Sequence, residues 1–107
     1  MPMLGKNVRM SRLVNPKSDK MMAITVDHMI SRGILTGLIP IRELLEKIVA
    51  GGPQAVTMTK GIAEQCFWPH AGKVSILLKC SSYSPVAPTC DTMFGDVEEG
   101  LRMGADG

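Results

Sequence analysis

The stretch Met21-Met22-Ala23-Ile24-Thr25-Val26-Asp27-His28 decides how this chain is read. Met21 to Val26 is an apolar run of strand length, and strand alternation sorts it into two faces. Met22, Ile24 and Val26 share one face; Ala23, Thr25 and Asp27 share the other. The second face is small and turns polar at its carboxyl end. A carboxylate that closes a buried strand is costly unless it has a partner or a task, so Asp27 is the first candidate for chemistry. His28 follows it, its side chain directed to the opposite face.

Before this strand, residues 1–20 are polar and basic, with Lys6, Arg9, Arg12, Lys17 and Lys20, and Asn15-Pro16 marks a turn. They are read as a solvated basic arm, and residues 21–107 as the folded domain. After the strand comes a loop with Gly33 and Gly37. Pro40 then suits the first turn of a helix, where its missing N–H costs nothing. Ile41, Leu44, Leu45, Ile48 and Val49 recur at i, i+3, i+4, i+7 and i+8, an apolar helical stripe closed by Gly51-Gly52-Pro53. Ala55 to Thr59 is a second short strand, and Ile62 to Trp68 a short helix. Lys73 to Cys80 is a third strand, with Val74, Ile76, Leu78 and Cys80 on one face and Ser75, Leu77 and Lys79 on the other. A long loop rich in Ser, Pro and Thr follows. Asp96 and Glu99 form a D-x-x-E capping pattern for a last helix carrying Leu101 and Met103, with Gly104 just past its end. Gly104 to Gly107 reads as a turn entering another strand.

Strand and helix alternate three times, which predicts parallel strands joined by crossovers. An open doubly wound sheet and a (β/α)8 barrel both satisfy this order. No glycine-rich phosphate fingerprint follows the first strand, which counts against the open nucleotide-binding form. One small or polar strand face and one larger apolar face favour a barrel. The fold class is therefore α/β: parallel (β/α) units of a TIM (β/α)8 barrel, cut short before the fourth strand. Such a piece is expected to leave its third strand as an unpaired edge and to expose apolar helix faces. Barrel enzymes place their working residues at the carboxyl ends of the strands, where Asp27, Lys60, Lys79 and Ser81 lie. Asp27 and Lys79 come from alternate strands and can share a layer, so a carboxylate facing an ammonium is expected at the mouth.

Composition narrows the function classes. A net charge of +2 is too small to imply nucleic acid, and no aromatic residues are interleaved with the amino-terminal basic ones. No apolar stretch reaches the ~20 residues needed to span a bilayer. The segment before Met21 also lacks the apolar centre of a secretory signal, so a cytoplasmic location is the default expectation. Cys66, Cys80 and Cys90 form no CxxC pair and read as reduced thiols. Cys66 and His70 would share a helix face at i, i+4, but two ligands do not make a metal site, and no metal or cofactor is expected. The methionines read as adaptable packing, and Trp68 as core or interface packing.

With this order in hand, several strings resemble the DhnA-type class I aldolases, a barrel family that includes archaeal-type fructose-bisphosphate aldolases. Ala23-Ile24-Thr25-Val26-Asp27-His28 resembles the family's first strand, and Lys60-Gly61-Ile62-Ala63-Glu64 the segment after its second. Ile76-Leu77-Leu78-Lys79 is similar to its third strand, and Val97 to Asp106 to the helix leading into its fourth. The resemblance implies carbon–carbon bond cleavage or formation in a ketose phosphate such as fructose 1,6-bisphosphate, through a lysine Schiff base and without a metal. It makes Asp27 a proton-handling aspartate, with Lys79 and His28 as further candidate catalytic residues and Lys60 and Ser81 as candidate substrate-binding ones. Lys79 is read as an electrostatic partner rather than the nucleophile. The Schiff-base lysine and phosphate loops are expected beyond Gly107, so this chain alone is expected to be inactive. An aldolase-like transferase or thiolase on another phosphorylated keto compound is the alternative within the family, and a non-catalytic half-barrel the alternative outside it. The full-length parent is expected to be a homo-oligomer with a phosphorylated sugar or keto substrate. Met29 stands where the family commonly has glycine and is expected to narrow the loop or alter substrate fit.

Overall fold

The computed structural model describes residues 3–107; Met1 and Pro2 of the expected arm lie outside the described residues. Three parallel strands, β1 (Ala23–Thr25), β2 (Ala55–Thr59) and β3 (Ser75–Lys79), make one sheet in the order β1-β2-β3. Between β1 and β2 lie α2 (Met29–Arg32), a 3₁₀ turn (Thr36–Leu38) and α3 (Ile41–Ala50). Between β2 and β3 lie α4 (Lys60–Cys66) and a second 3₁₀ turn (Trp68–His70). The alternation read from the sequence is thus the fold's main chain path.

Register explains how the two strand faces divide the labour. Val56 stands beside Ile24 and Ile76, and Met58 beside Leu78, on the apolar face. That face meets the helices: Val26, Val56 and Met58 are buried with Leu45 of α3 and Ile62, Ala63 and Phe67 from α4 and its end. Ile41, Leu44, Ile48 and Val49 pack on this cluster, which is the stripe expected of α3. Met29 packs there too. The other sheet face carries Thr25 beside Thr57, and Thr59 beside Lys79.

α5 (Val97–Arg102) begins as its sequence demands, with Asp96 Oδ1 accepting from the Glu99 N–H at 2.8 Å. Gly104 then adopts φ +76°, a left-handed conformation glycine takes without penalty. Asp96→Ala is expected to cost about 1 kcal/mol, since an orphan helix N–H loses its acceptor. The check is urea unfolding, in which the midpoint falls while the slope stays fixed.

Three parts of the chain depart from expectation. Residues Leu4–Leu13 form a helix, α1, where an arm was expected. It stays mostly solvated, but Leu13 is buried and Arg12 holds Asp106 at 2.9 Å. The expected Ser-, Pro- and Thr-rich loop is a hairpin of β4 (Ser81–Ser84) and β5 (Ala87–Met93) around Pro85-Val86. Every residue of β5 is exposed, so no buried face wrote an alternation into the sequence. Finally, the far edge of β3 is partly covered: the Asp106 N–H donates to the Ile76 carbonyl and the Leu78 N–H to the Gly107 carbonyl. The last residues run alongside β3 and hydrogen-bond to it, but they form no strand within the chain.

Candidate functional site

The carboxyl ends of the parallel strands bring the first candidates together. Lys79 Nζ, from the end of β3, lies 3.5 Å from Asp27 Oδ2, just past β1. The Asp27 side chain is only 16% exposed and that of Lys79 38%. A mostly buried carboxylate needs a counter-charge, and here it comes from two strands away. The contact expected from layer sharing is present. Pairing of β1 with β2 ends at Thr25–Thr57; carried on by two residues, the same register sets Asp27 level with Thr59, which itself pairs with Lys79. On that extension the three residues make one row, with Thr59 in the middle.

Lys60 does not join this row. It heads α4, and its Nζ lies 3.0 Å from Glu99 Oε1. The sequence assigns Glu99 to a reciprocal cap, but its carboxylate turns to Lys60 instead. The hydrogen bond to Glu99, and then its charge, raise the lysine's pKa above the usual 10.5. A raised pKa means the tie contributes stability that is fully present below pH 10.5 and lost as pH rises through the folded value. Wild type is therefore expected to be more stable than Glu99→Gln by a constant margin at neutral to mildly alkaline pH. That margin should shrink above pH 10.5. Thermal melts of both chains across that window check the sign.

The remaining candidates lie apart from the ion pair. His28 caps the start of α2 without a side-chain bond, and its Nδ1 is buried with no partner among the described residues. Ser81 opens β4 opposite Met93, so it belongs to the hairpin, which packs against α2 above the strand ends. Cys66 ends α4 while His70 sits in the following 3₁₀ turn, so they do not share one helix face. Among the described residues no three His, Cys, Asp or Glu side chains gather to hold a metal ion. Trp68 is 78% exposed, which removes it from the core.

A cleft of about 1110 Å³ exists elsewhere, between α4, the amino-terminal end of β3 and the residues after α5. Trp68, Lys73 and Arg102 line it, but none of Asp27, Thr59 or Lys79 does. Cleft size and strand chemistry thus point to opposite ends of the sheet. The cleft holds a shielded pair of its own, Asp106 with Arg12, but the strand ends have the stronger claim, because barrel enzymes place their working residues there.

No family model matches the chain. A 2-amino-3,7-dideoxy-D-threo-hept-6-ulosonate synthase from Halobacterium salinarum is 30% identical over 104 residues, which is 95% of this chain and 38% of the synthase. A Schiff-base-forming fructose-1,6-bisphosphate aldolase superposes with a TM-score of 0.74 at 20% identity, over 94% of this chain and 41% of its own. An archaeal fructose 1,6-bisphosphate aldolase superposes with a TM-score of 0.70 at 21% identity, with the same coverage. The chain therefore spans about two fifths of the length of the proteins it matches. These likenesses show that the three strands are (β/α) units of a TIM barrel. Among the described residues no helix is long and apolar enough to cross a membrane. In sequence and in fold, over that part of their length, this chain resembles the DhnA-type class I aldolases.

Proposed function

We propose that this chain carries part of the site of a Schiff-base class I aldolase acting on a phosphorylated keto compound. The observation that supports this most directly is the Asp27–Lys79 pair at the carboxyl ends of barrel strands. In that reaction an amine attacks the substrate carbonyl, and the protonated imine stabilises the carbanion left by bond cleavage. Asp27 is suited to moving a proton at a substrate hydroxyl, because its carboxylate is shielded from water and already faces a cation. Lys79 supplies the compensating charge. Lys60, held protonated by Glu99, serves binding and not attack. His28 and Ser81 border the mouth and complete the proposed set. The parent is proposed to be a cytoplasmic homo-oligomer.

A ketose bisphosphate such as fructose 1,6-bisphosphate is the first substrate reading. The 30% identity to a heptulosonate synthase supports a second, an aldolase-like transferase on another keto compound. Both lysines near the strand ends are engaged in ion pairs, Lys60 with Glu99 and Lys79 with Asp27, so this chain by itself is proposed not to form the imine. The test adds borohydride to the chain with dihydroxyacetone phosphate and reads its mass, while nuclear magnetic resonance follows the Asp27 and Lys79 signals. Reversible shifts of both signals without a covalent adduct are expected. An adduct on Lys79 or Lys60 would make that residue the nucleophile, and the absence of any shift would remove the substrate reading.

A further inference from the structure

The row at the strand ends contains a third polar group that the Asp27–Lys79 pair does not account for. Thr59 closes β2 on the face opposite the buried Met58 and pairs in register with Lys79. Extension of the β1–β2 register sets it level with Asp27 on its other side. It is also the N-cap of α4, a position where threonine normally binds a helix N–H. Here its side chain makes no capping hydrogen bond. A half-buried hydroxyl at a helix start that leaves its usual partner is available for something else. With strands about 4.8 Å apart, the three backbone positions span roughly 10 Å, but the charged ends of Asp27 and Lys79 converge to 3.5 Å, the scale of two neighbouring oxygens on a small ligand.

We infer that Thr59 is a ligand-contacting residue, and that the Asp27–Thr59–Lys79 row reads an α-hydroxycarbonyl group. The chemistry of the row is ordered. Asp27 only accepts hydrogen bonds, Lys79 only donates, and the threonine hydroxyl does both. A hydroxyl beside a carbonyl matches that order: the hydroxyl donates to Asp27, and the carbonyl oxygen accepts from Thr59 and Lys79. A simple alcohol satisfies one end of the row, and a simple ketone the other. The inference deepens the proposed function and rests on Asp27 lining that site.

The test compares wild type, Thr59→Val and Thr59→Ser by nuclear magnetic resonance titration with dihydroxyacetone phosphate. Valine keeps the shape and removes the hydroxyl; serine restores it. Thr59→Val is expected to weaken binding by about tenfold, the worth of one hydrogen bond to a ligand oxygen, with Thr59→Ser near wild type. Unchanged urea midpoints assign the loss to ligand contact. Equal affinity in wild type and Thr59→Val would overturn the role of Thr59 and leave the proposed function standing. A wild-type chain with no response at Asp27 or Lys79 would overturn the proposed function and this inference with it.

Discussion

Leu45→Ala is expected to lower the stability of the chain by about 3 kcal/mol, within the range of about 2–5 kcal/mol for emptying a fully buried leucine site. Leu45 is wholly inaccessible to water, and it belongs to the buried cluster that includes Val26, Val56 and Met58 of the sheet. Two terms add: the lost burial of the side chain and the cavity that remains, because neighbours on rigid strands collapse only in part. For a domain of this length a loss of that size lowers the melting temperature by more than about 10 °C, and total stabilities of about 5–15 kcal/mol leave limited reserve. Urea unfolding measures it. Glu46→Ala, the next residue on the exposed side of α3, is the control and should change little. Leu45→Met keeps the volume and should cost less than about 1.5 kcal/mol, so it reports even if the alanine variant fails to fold. Equal losses for Leu45→Ala and Glu46→Ala would show that α3 does not carry the core.

The same cluster explains why so much of the fold is legible in the sequence. α3 and the three parallel strands each bury one face, and burial of one face is what writes a period into a sequence. Ile41, Leu44, Leu45, Ile48 and Val49 announce a helix because they pack on the sheet. Ile76 and Leu78 announce a strand for the same reason. α1 and the β4–β5 hairpin bury little, so no period marks them. The contact that fastens α1 joins residues 94 apart, beyond the reach of any local pattern. The site divides along similar lines. Asp27 is visible as a carboxylate ending an apolar run, and its pairing with Lys79 follows from strand order. Thr59 is not visible, since a threonine at a strand end satisfies propensity, capping and packing rules equally well. Only the register sets it between the other two. Glu99 misleads for the opposite reason: a capping pattern accounts for it in the sequence, whereas its carboxylate is drawn to Lys60 from another helix.

Arg12→Ala is expected to be the most damaging change on the surface of the chain, at about 2–3 kcal/mol. The Asp106 side chain is only 6% exposed and its oxygen lies 2.9 Å from Arg12 Nη1, whereas the arginine is 58% exposed. The asymmetry sets the magnitude. Removing one partner of a fully buried pair costs about 3–5 kcal/mol, because the other charge is stranded; an exposed pair is worth about 1 kcal/mol or less. Here the stranded charge is the buried one, so the loss falls near the lower edge of the buried range. Asp106 also donates its N–H to Ile76 of β3, so its backbone is held by the sheet. The variant should therefore loosen both α1 and the chain that covers the edge of β3. Hydrogen exchange would show this as lost protection at Asp106 and Leu78 before any global unfolding. Lys6→Ala, on the exposed part of α1, should change almost nothing. Asp106→Asn in the Arg12→Ala background should recover most of the loss, since a neutral amide no longer requires a counter-charge. If Arg12→Ala and Lys6→Ala were equally mild, the carboxylate of Asp106 would have another route to solvent, and the Arg12 pair would not be what fastens α1.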